Sequence, residues 1–449
     1  MFTCTLNPQS RTTLCDQLYE ALRAQIMGGG MASGERLPSK RQLSAHLSVS
    51  QATVEAAYAR LVSEGYCESR PRSGMYVAGE LPQDAPAAPA KEPPIRWDFS
   101  TGTADAEHFP YAAWARLMRE VLSEQSTALL MSGDPQGSYA LRCELSSMLR
   151  SMRGVEAAPE RIVLGAGTEV LAASLVALIG REKLFAVEDP GYSRVRRVLT
   201  TNGARIAPTP LSDGAIDVRA LYLCGAGAAY VTPSHQFPTG SEMDMERREA
   251  LLRWAQETGG YILEDDYDSE FRLFGRGLPA LAALDPGGQV VYMNTFSRTL
   301  APGLRLGFMV LPEALVPAYR KLHTACSVSG FEQETLRKFI SGGHLERHIA
   351  RMRVIYRGRL QAMERAAAQL GEFHYFGTGL HALLTVGGRT PAQELVPRAA
   401  QAGVRVSRLC DHGIVSPGAR EERSVLLGFA GMDEAAIEAG MAQLARAWK

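Results

Sequence analysis

The stretch that decides the fold is Val291-Tyr-Met-Asn-Thr-Phe-Ser-Arg-Thr-Leu-Ala-Pro-Gly-Leu-Arg-Leu-Gly-Phe-Met-Val310. Its first residues continue an apolar run, and the apolar residues at positions 304, 306 and 308 recur with the period of two that is typical of a strand. Pro302 and Gly303 interrupt the pattern between the two runs. We therefore predict a strand, a loop and a second strand, with the side chains of Arg298 and Arg305 presented to a cleft.

The composition is that of an ordinary globular protein. The chain has 449 residues, 46% of them hydrophobic and 21% charged, with a net charge of zero. This length suggests about three domains, and a neutral chain can bind nucleic acid only through a local patch. No apolar run of about 18 residues predicts a membrane span, and the first residues lack a secretory signal.

The seven cysteines are scattered along the chain and form no CxxC pair. Neither a disulfide framework nor a zinc site is therefore predicted. A reducing compartment fits this pattern, and we expect a cytoplasmic protein with no membrane partner.

Residues 1–79 are predicted to form a helix, a helix-turn-helix and a two-stranded wing. Leucine and isoleucine recur every four residues on one face of a helix at 11–29, and Ser39 can cap the next, short helix. A further helix runs from Gln51 to Glu64, where Gly65 suits a left-handed stop, and short strands follow at 66–70 and 75–78. In DNA-binding proteins of this plan, the second helix of the helix-turn-helix enters the major groove. On geometry alone, a small α+β domain packed against an enzyme is the alternative.

Three strings in this region resemble the GntR family of winged-helix regulators over residues 14–78. They are Glu35-Arg-Leu-Pro-Ser-Lys-Arg41, Val49-Ser-Gln-Ala-Thr-Val54 and Tyr58-Ala-Arg-Leu-Val-Ser-Glu-Gly65. The resemblance implies a double-stranded DNA operator as partner, with basic side chains on its phosphates. The implied DNA-contacting residues are Ser39, Lys40, Arg41, Gln51, Ala52, Thr53, Arg70, Arg72 and Gly74. Many relatives carry arginine at position 51, so the operator sequence does not follow from the resemblance.

Residues 80–96 form a linker rich in proline and alanine, which favours extended, semi-rigid conformations. Beyond it, short apolar strands alternate with helices. This alternation predicts a mostly parallel sheet covered by helices, with ligands beyond the carboxyl ends of the strands. The predicted strands are 161–164, 184–187, 228–231, 261–263 and 290–293.

Three motifs lie directly after predicted strands. Gly165-Ala-Gly-Thr-Glu169 opens a helix whose N–H groups can bind a phosphate. Tyr192 follows Pro-Gly, so its ring can lie against a heterocycle. Glu264-Asp-Asp-Tyr-Asp268 offers a carboxylate that could keep a pyridine nitrogen protonated. The alternatives are an ordinary glycine-rich turn, a core tyrosine, and a solvated acidic loop or metal site.

These motifs, together with Val231-Thr-Pro-Ser-His-Gln-Phe-Pro-Thr-Gly240 and Gly343-His-Leu-Glu-Arg-His-Ile-Ala-Arg-Met-Arg353, resemble the MocR-type regulator branch of the fold-type I, pyridoxal 5'-phosphate (PLP) dependent aminotransferases. The resemblance runs from residue 97 to the C-terminus. It implies a multidomain α/β protein in which the winged helix-turn-helix is followed by an aminotransferase-like domain, 97–449. That domain would have a large α/β part with a mostly parallel sheet to about residue 320 and a smaller α+β part, 321–449.

The same resemblance implies a homodimer, PLP as cofactor, and a small-molecule effector that bears a carboxylate or phosphate. Asp265 would face the pyridine nitrogen and Tyr267 the ring hydroxyl. The implied cofactor-binding residues are Gly167, Thr168, Tyr192, Asp265, Tyr267, Thr295, Arg298 and Arg305, and Arg194 would pair with an effector carboxylate.

Three positions depart from the family pattern. Arg298 stands at the Schiff-base lysine position, and a guanidinium stays protonated and does not attack an aldehyde. Ser132 stands where relatives place a tyrosine that reaches the neighbouring subunit's phosphate, and Leu426 where transaminating relatives carry a carboxylate-binding arginine. We expect Arg298 either to pair with Asp265 and close the pocket, or to attract an anionic ligand group.

The sequence therefore predicts a DNA-binding transcriptional regulator that senses a small molecule and holds PLP non-covalently at most. The alternatives are an aminotransferase with an accessory DNA-binding domain and an engineered lysine-to-arginine variant of a PLP-binding regulator.

Overall fold

The structure is a computed structural model that describes residues 2–4, 6–7, 12–28, 30–70, 73–78, 94–322, 324–414, 418 and 420–449. The chain divides into two compact units, Met1–Glu92 and Pro93–Lys449. Arg72 and residues 80–93 of the predicted linker lie outside the described residues. Among the helices in the described ranges, none is both long and apolar enough to span a bilayer. All seven cysteines are free.

The first unit is a winged helix-turn-helix, as predicted. Its described elements are the helices α1 Leu14–Met27, α2 Lys40–Leu47 and α3 Gln51–Ser63 and the strands β1 Cys67–Arg70 and β2 Gly74–Val77. Leu22 and Ile26 of α1 are buried with Val54 of α3 in the core of the unit. The two strands pair antiparallel, with Arg70 opposite Gly74.

Serine caps begin both helices of the helix-turn-helix. The hydroxyl of Ser39 accepts the N–H of Gln42, and the Gln42 side chain accepts the N–H of Ser39, which completes a capping box. Ser50 caps α3 by accepting the N–H of Thr53. Each such cap stabilises its helix by about 1 kcal/mol. Gly65 follows α3 at φ +80°, the left-handed conformation that the sequence predicts.

The second unit is built on a mostly parallel sheet, as predicted. Its described strands are β3 Trp97–Asp98, β4 Ile162–Gly165, β5 Leu184–Asp189, β6 Arg205–Ser212, β7 Ala215–Ile216, β8 Ala228–Val231, β9 Tyr261–Asp265, β10 Val290–Thr295, β11 Gly307–Val310, β12 Gly371–His374, β13 His381–Val386, β14 Val404–Arg405, β15 Ser407–Arg408 and β16 Ser424–Gly428. The large sheet has the order β4-β11-β10-β9-β8-β5-β6-β7. Strands β10, β9, β8, β5 and β6 run parallel, whereas β11 and β7 are antiparallel to their neighbours.

Helices cover both faces of this sheet. The described helices of the unit are α4 Tyr111–Ser123, α5 Tyr139–Arg153, α6 Thr168–Ile179, α7 Ser193–Thr201, α8 Val218–Cys224, α9 Met245–Thr258, α10 Leu281–Leu284, α11 Phe296–Thr299, α12 Val316–Leu322, α13 Gly330–Ser341, α14 His344–Ala367, α15 Ala392–Gln401 and α16 Glu434–Ala447. Helices α6 and α7 pack with Phe185 and Leu263 of the sheet, and α8 and α9 pack with their chain neighbours Ala186 and Ile262. Successive strand residues point to opposite faces, so a strand buried on both sides reads as a continuous apolar run.

A second, antiparallel sheet of order β12-β13-β16-β15, here called the small sheet, forms the C-terminal part. Strand β3 pairs in parallel with β14, which ties the first residues of the unit to this part. The largest apolar core includes Tyr356 of α14, Leu427 of β16 and Met441 of α16.

The deciding stretch departs from the prediction after its first strand. The residues after β10 form the short helix α11 and then a 3-10 turn at Pro302–Leu304. Arg305 adopts the left-handed conformation at φ +50°, which bends the chain and delays the second strand to Gly307. The prediction of a strand from position 304 onward is therefore wrong, although the alternation correctly indicates that Leu306 and Phe308 are buried.

Candidate ligand-binding site and DNA-binding surface

A cavity of about 320 Å³ opens beyond the carboxyl ends of the parallel strands. Asp265 ends β9, Thr295 ends β10, and Thr232 directly follows β8. This is the general location of ligand sites in open α/β sheets. The lining residues are Ser100, Thr101, Gly102, Thr168, Glu169, Tyr192, Ser193, Arg194, Thr232, Phe237, Asp265, Tyr267, Thr295, Ser297, Arg298, Pro302, Arg305, Ser407 and His412. The cavity thus brings together every predicted cofactor and effector residue except Gly167.

The side of the cavity at α6 is suited to an anion. Thr168 begins α6, and the N-terminus of a helix favours negative charge. Gly167 lies just outside the cavity at φ +90°, and a Cβ there would come within 2.8 Å of the Arg305 guanidinium. Its glycine therefore makes room for Arg305. That guanidinium pairs with Glu169 at 3.0 Å, and because both side chains are about half exposed, a ligand anion can compete for it.

Thr295 lines the cavity but uses its hydroxyl within the chain. Its Oγ1 donates to Ser297 Oγ at 2.9 Å, and it accepts the N–H of Ser297 as the cap of α11. The Ser297 hydroxyl lies beside it in the cavity wall. A phosphate in this region would therefore meet Ser297 as well as Thr295, and the sequence did not indicate Ser297.

Asp265 is the buried acid of the cavity. Its Oδ2 accepts a short hydrogen bond from the hydroxyl of Tyr230, and its Oδ1 has no hydrogen-bond partner in the described part of the chain. Burial raises the pKa of Asp265 to about 7, an effect opposed by the Tyr230 bond and by Arg298. A buried carboxylate oxygen without a partner is costly. A protonated ring nitrogen of a ligand would satisfy it, which is the role that the family resemblance implies.

Tyr267 faces the cavity with a hydroxyl that the protein already uses. The Tyr267 hydroxyl donates to the carbonyl oxygen of His235 at 3.1 Å and lies 2.9 Å from His235 Nδ1. Tyr192 packs edge-on against Phe237, with the ring centroids 5.4 Å apart. A flat ligand would therefore meet aromatic side chains, and its hydroxyl would share Tyr267 with His235.

Arg298 does not pair with Asp265, so the first of its two expected arrangements is wrong. Its Nη1 donates to the carbonyl oxygen of Thr103 at 3.1 Å, and its guanidinium carbon lies 6.0 Å from the centre of the Tyr267 ring. Within the described ranges Arg298 has no carboxylate partner. A half-buried cation with a carbonyl and a ring but no carboxylate beside it leaves the cavity attractive to an anion.

Further polar residues of the cavity come from distant parts of the chain. Arg194 is exposed in the first turn of α7, where a ligand carboxylate can reach it. Residues 100–102 come from the beginning of the unit, and Ser407 and His412 come from its C-terminal part. No sequence motif indicates these last residues, because only the tertiary fold brings them to the cavity.

The acidic motif is buried, so its interpretation as a solvated loop is wrong. Glu264 accepts the N–H groups of Leu281 and Ala282 at 2.8 and 2.9 Å. Asp266 pairs with Arg153 of α5 at 2.7 Å. Each acid thus has a structural partner, and Asp265 alone of the three at positions 264 to 266 lines the cavity. No sequence pattern indicates Arg153, which lies 113 residues before its partner.

The two other departures from the family pattern, Leu426 and Ser132, lie in different environments. Leu426 is fully buried with Phe237 and Leu409 in an apolar cluster against which Tyr267 packs. This wall therefore offers no cation to a carboxylate. Ser132 is exposed and lies outside the ligand cavity, on a separate hollow of about 680 Å³ lined by residues 128–134 and 325–331 among others.

The predicted DNA-contacting residues of the first unit differ in their exposure and in whether their side chains already have partners. Gln51 and Ala52 are exposed at the start of α3, whereas Thr53 is half-buried with its hydroxyl 2.8 Å from that of Ser50. Arg41 is exposed and makes no ion pair among the described residues. Gly74 is exposed in the wing at φ +125°, and the Ser39 hydroxyl is used as a helix cap.

Two other basic residues of the predicted DNA-contacting set, Lys40 and Arg70, are already paired. The Lys40 ammonium bonds to Glu55 Oε1. The Arg70 guanidinium pairs with Glu68 and lies 4.4 Å from the centre of the Tyr76 ring. These exposed pairs are weak and can be exchanged for phosphate contacts. Among the described basic residues of the predicted set, Arg41 needs no such exchange.

Comparison with known proteins agrees with this architecture. Residues 14–77 match the family described as bacterial regulatory proteins, gntR family, and residues 95–444 match aminotransferase class I and II. The chain is 37% identical to the uncharacterized HTH-type transcriptional regulator YhdI of Bacillus subtilis, covering 99% of this chain and 97% of the relative. It is 33% identical to the probable rhizopine catabolism regulatory protein MocR of Rhizobium meliloti, covering 96% and 93%.

A third relative is the HTH-type pyridoxine biosynthesis transcriptional regulator PdxR of Corynebacterium glutamicum, 30% identical over 98% of this chain and 97% of the relative. Among solved structures, a kynurenine aminotransferase of Pyrococcus horikoshii superposes with a TM-score of 0.70 at 24% identity, covering 79% of this chain and 91% of that one. This likeness shows the fold. The chain therefore belongs to the gntR family of bacterial regulatory proteins, in its MocR-type branch, which joins a winged helix-turn-helix to an aminotransferase class I and II domain.

Proposed function

We propose that this protein is a DNA-binding transcriptional regulator whose aminotransferase-like domain senses a small anionic molecule without covalent PLP chemistry. The observation that carries the proposal is Arg298, a cation in the wall of the cavity that contacts a carbonyl and no carboxylate in the described part of the chain. An anionic ligand group would supply the missing partner. Arg194, exposed in the same cavity, offers a second contact for a carboxylate or phosphate.

A vitamin B6 compound is the first candidate for this ligand. The unpartnered Oδ1 of Asp265 fits a protonated pyridine nitrogen, and the start of α6 with Arg305 fits a phosphate. Tyr192 and Tyr267 would hold the ring and its hydroxyl. PLP, when bound in such a site, supplies an electron-withdrawing ring. One relative is named for the regulation of pyridoxine biosynthesis, which supports the same ligand class.

Transamination is the rival function, and two residues argue against it. The side chain at position 298 cannot attack an aldehyde. By the family resemblance, Leu426 stands where transaminating relatives carry the arginine that binds the substrate carboxylate, and here it lies in a buried apolar cluster. We therefore propose regulation rather than catalysis.

We also propose that the protein is a homodimer through its second unit. Leu130 and Met131 are 72% and 73% exposed, and both border the hollow that contains Ser132. Large apolar side chains exposed together mark interaction surfaces. A second copy of the chain is the proposed occupant, since a dimer places one winged helix on each half of a two-part operator. The proposed compartment is the cytoplasm, in agreement with seven free cysteines.

Titration calorimetry of the full-length protein with PLP tests the sensing step, with Arg298→Met and the exposed Arg116→Met as matched variants. We expect the wild type and Arg116→Met to bind alike and Arg298→Met to bind at least about tenfold more weakly if the guanidinium meets the ligand anion. Gel shifts with fragments upstream of its own gene, with and without PLP, test the link to DNA. Specific binding to no fragment, or equal binding of PLP by all three proteins, would contradict the proposal.

A further inference from the structure

A buried histidine–aspartate pair connects the ligand cavity to the small sheet. Nδ1 of His235 lies 3.0 and 3.1 Å from the two carboxylate oxygens of Asp268, and 2.9 Å from the hydroxyl of Tyr267. The Asp268 carboxylate in turn accepts the N–H of Leu380 at 3.3 Å. Leu380 directly precedes β13, which pairs with both β12 and β16 of the small sheet. A continuous set of hydrogen bonds therefore runs from the cavity wall to that sheet.

His235 and Asp268 are buried and tightly packed, so their side chains have little room to move. His235 and Asp268 are 2% and 1% exposed. The His381 ring at the start of β13 lies against the His235 ring, with the centroids 4.5 Å apart. Gly379 sits at φ +80°, and a Cβ there would come within 1.9 Å of Cε1 of His235. The backbone of residues 379–381 thus touches the histidine directly, and no larger residue fits at 379.

The charge states of the neighbouring groups determine the hydrogen bonding of Asp268. His381 is held neutral, because burial and then the neighbouring His235 keep its pKa well below the usual range. The Asp268 carboxylate therefore has its hydrogen bonds from His235 and Leu380 in a setting with little water. Hydrogen bonds to a buried carboxylate are stronger than neutral ones, and losing one donor leaves the carboxylate under-satisfied.

We propose that Tyr267, His235, Asp268 and Leu380 form a latch through which occupancy of the cavity is transmitted to the small sheet. The Tyr267 hydroxyl is held by both the ring and the carbonyl of His235, so it fixes the ring that positions Asp268. A ligand that takes the hydrogen bond of Tyr267 withdraws this support and loosens the contact at Leu380. The inference rests on the proposed function in one respect, namely that the cavity is the ligand site.

The same residues resemble a metal site in composition, since ligand atoms of His235, Asp268 and His381 lie within 4.8 Å of one another. Hydrogen bonds already occupy two of the ring nitrogens, whereas Nε2 of His235 is buried without a partner among the described residues. Nδ1 of His235 faces the aspartate and the tyrosine hydroxyl, and Nε2 of His381 lies 3.2 Å from the carbonyl oxygen of Pro238. The geometry therefore points to a hydrogen-bonded latch, and bound metal is an outcome of the test.

Hydrogen exchange of the full-length protein, read by mass spectrometry on peptides covering 378–386 and on α16 as reference, tests the latch. We expect Asp268→Asn to speed exchange in 378–386 about tenfold or more, because the amide of Leu380 loses a charged acceptor. Tyr267→Phe keeps the ring and removes only the hydroxyl, and should speed the same peptides several-fold. Tyr222→Phe is the matched control, since its hydroxyl bonds to the exposed Glu257 at 2.6 Å, and it should change neither region.

Two results would overturn the latch. One is Tyr267→Phe exchanging in 378–386 like Tyr222→Phe, which decides the matter even if Asp268→Asn does not fold. The other is one equivalent of metal in the purified wild type that Asp268→Asn loses. PLP serves as the probe of the ligand step: added PLP should speed exchange in 378–386 of the wild type but not of Tyr267→Phe. Calorimetry on the same samples separates the two proposals, because a failed latch with PLP binding intact leaves the sensing function standing.

Discussion

Removing Arg41 should weaken DNA binding without changing sequence preference. Arg41 is exposed in the first turn of α2 and makes no ion pair among the described residues, so its cation is free for a phosphate. The logarithm of affinity falls with the logarithm of salt by about 0.9 for each neutralised phosphate. A dimer that loses one contact per chain should therefore show a slope about 1.8 smaller, which corresponds to roughly 60-fold weaker binding at about 0.1 M salt. Alanine is a good helix former, so α2 should remain folded.

Fluorescence anisotropy with labelled operator and non-operator DNA over a series of salt concentrations measures both slopes. Arg116→Ala, an exposed arginine of α4 in the second unit, makes the same charge change and should leave both slopes unaltered. An unchanged slope for Arg41→Ala would refute the phosphate contact. A loss confined to the operator would show instead that Arg41 reads bases.

The converse change is Glu55→Gln, which releases the ammonium of Lys40. The variant removes a negative charge from the DNA-facing side and should bind every sequence more tightly, with a steeper salt slope. Weaker binding of all sequences would mean that Glu55 itself contacts DNA.

The remaining predictions concern the second unit. Arg298→Lys should bind PLP covalently, so that borohydride reduction labels the peptide 292–305 in this variant and not in the wild type; label in the wild-type peptide would contradict our view of position 298. Arg153→Met should lower the free energy of unfolding by about 3–5 kcal/mol, because it leaves the buried Asp266 unpaired. Burial alone would raise the pKa of Asp266, but Arg153 and the hydrogen bonds to the Asp266 carboxylate hold that pKa below its usual value. The loss of stability should therefore be full above about pH 4 and shrink as acid protonates the carboxylate. Denaturant titrations at several pH values measure this loss, and a loss that grows in acid would refute the prediction. Leu130→Asp with Met131→Asp should give a monomer in light scattering, and a stable dimer would place the interface elsewhere.

The sequence determined most of the architecture by itself. Local patterns are enough where a residue's neighbours in the chain are also its physical partners. Ser39 and Gln42 cap α2 across three residues, and Gly65 ends α3 through its own backbone freedom. The alternation of apolar strands and helices fixed a parallel sheet, and therefore the edge of the sheet at which ligand residues such as Asp265 gather.

Only the tertiary structure decided how the side chains of the site are used. Arg298 donates to Thr103, 195 residues away, instead of reaching Asp265. The Tyr267 hydroxyl hydrogen-bonds to His235, which lies 32 residues earlier in the chain. These partners are set by how strands and helices pack in three dimensions, and a buried polar group takes whichever partner the packing brings within reach. The sequence therefore indicates some of the residues that line the cavity, while the fold brings the others to it and decides which hydrogen bonds remain for a ligand.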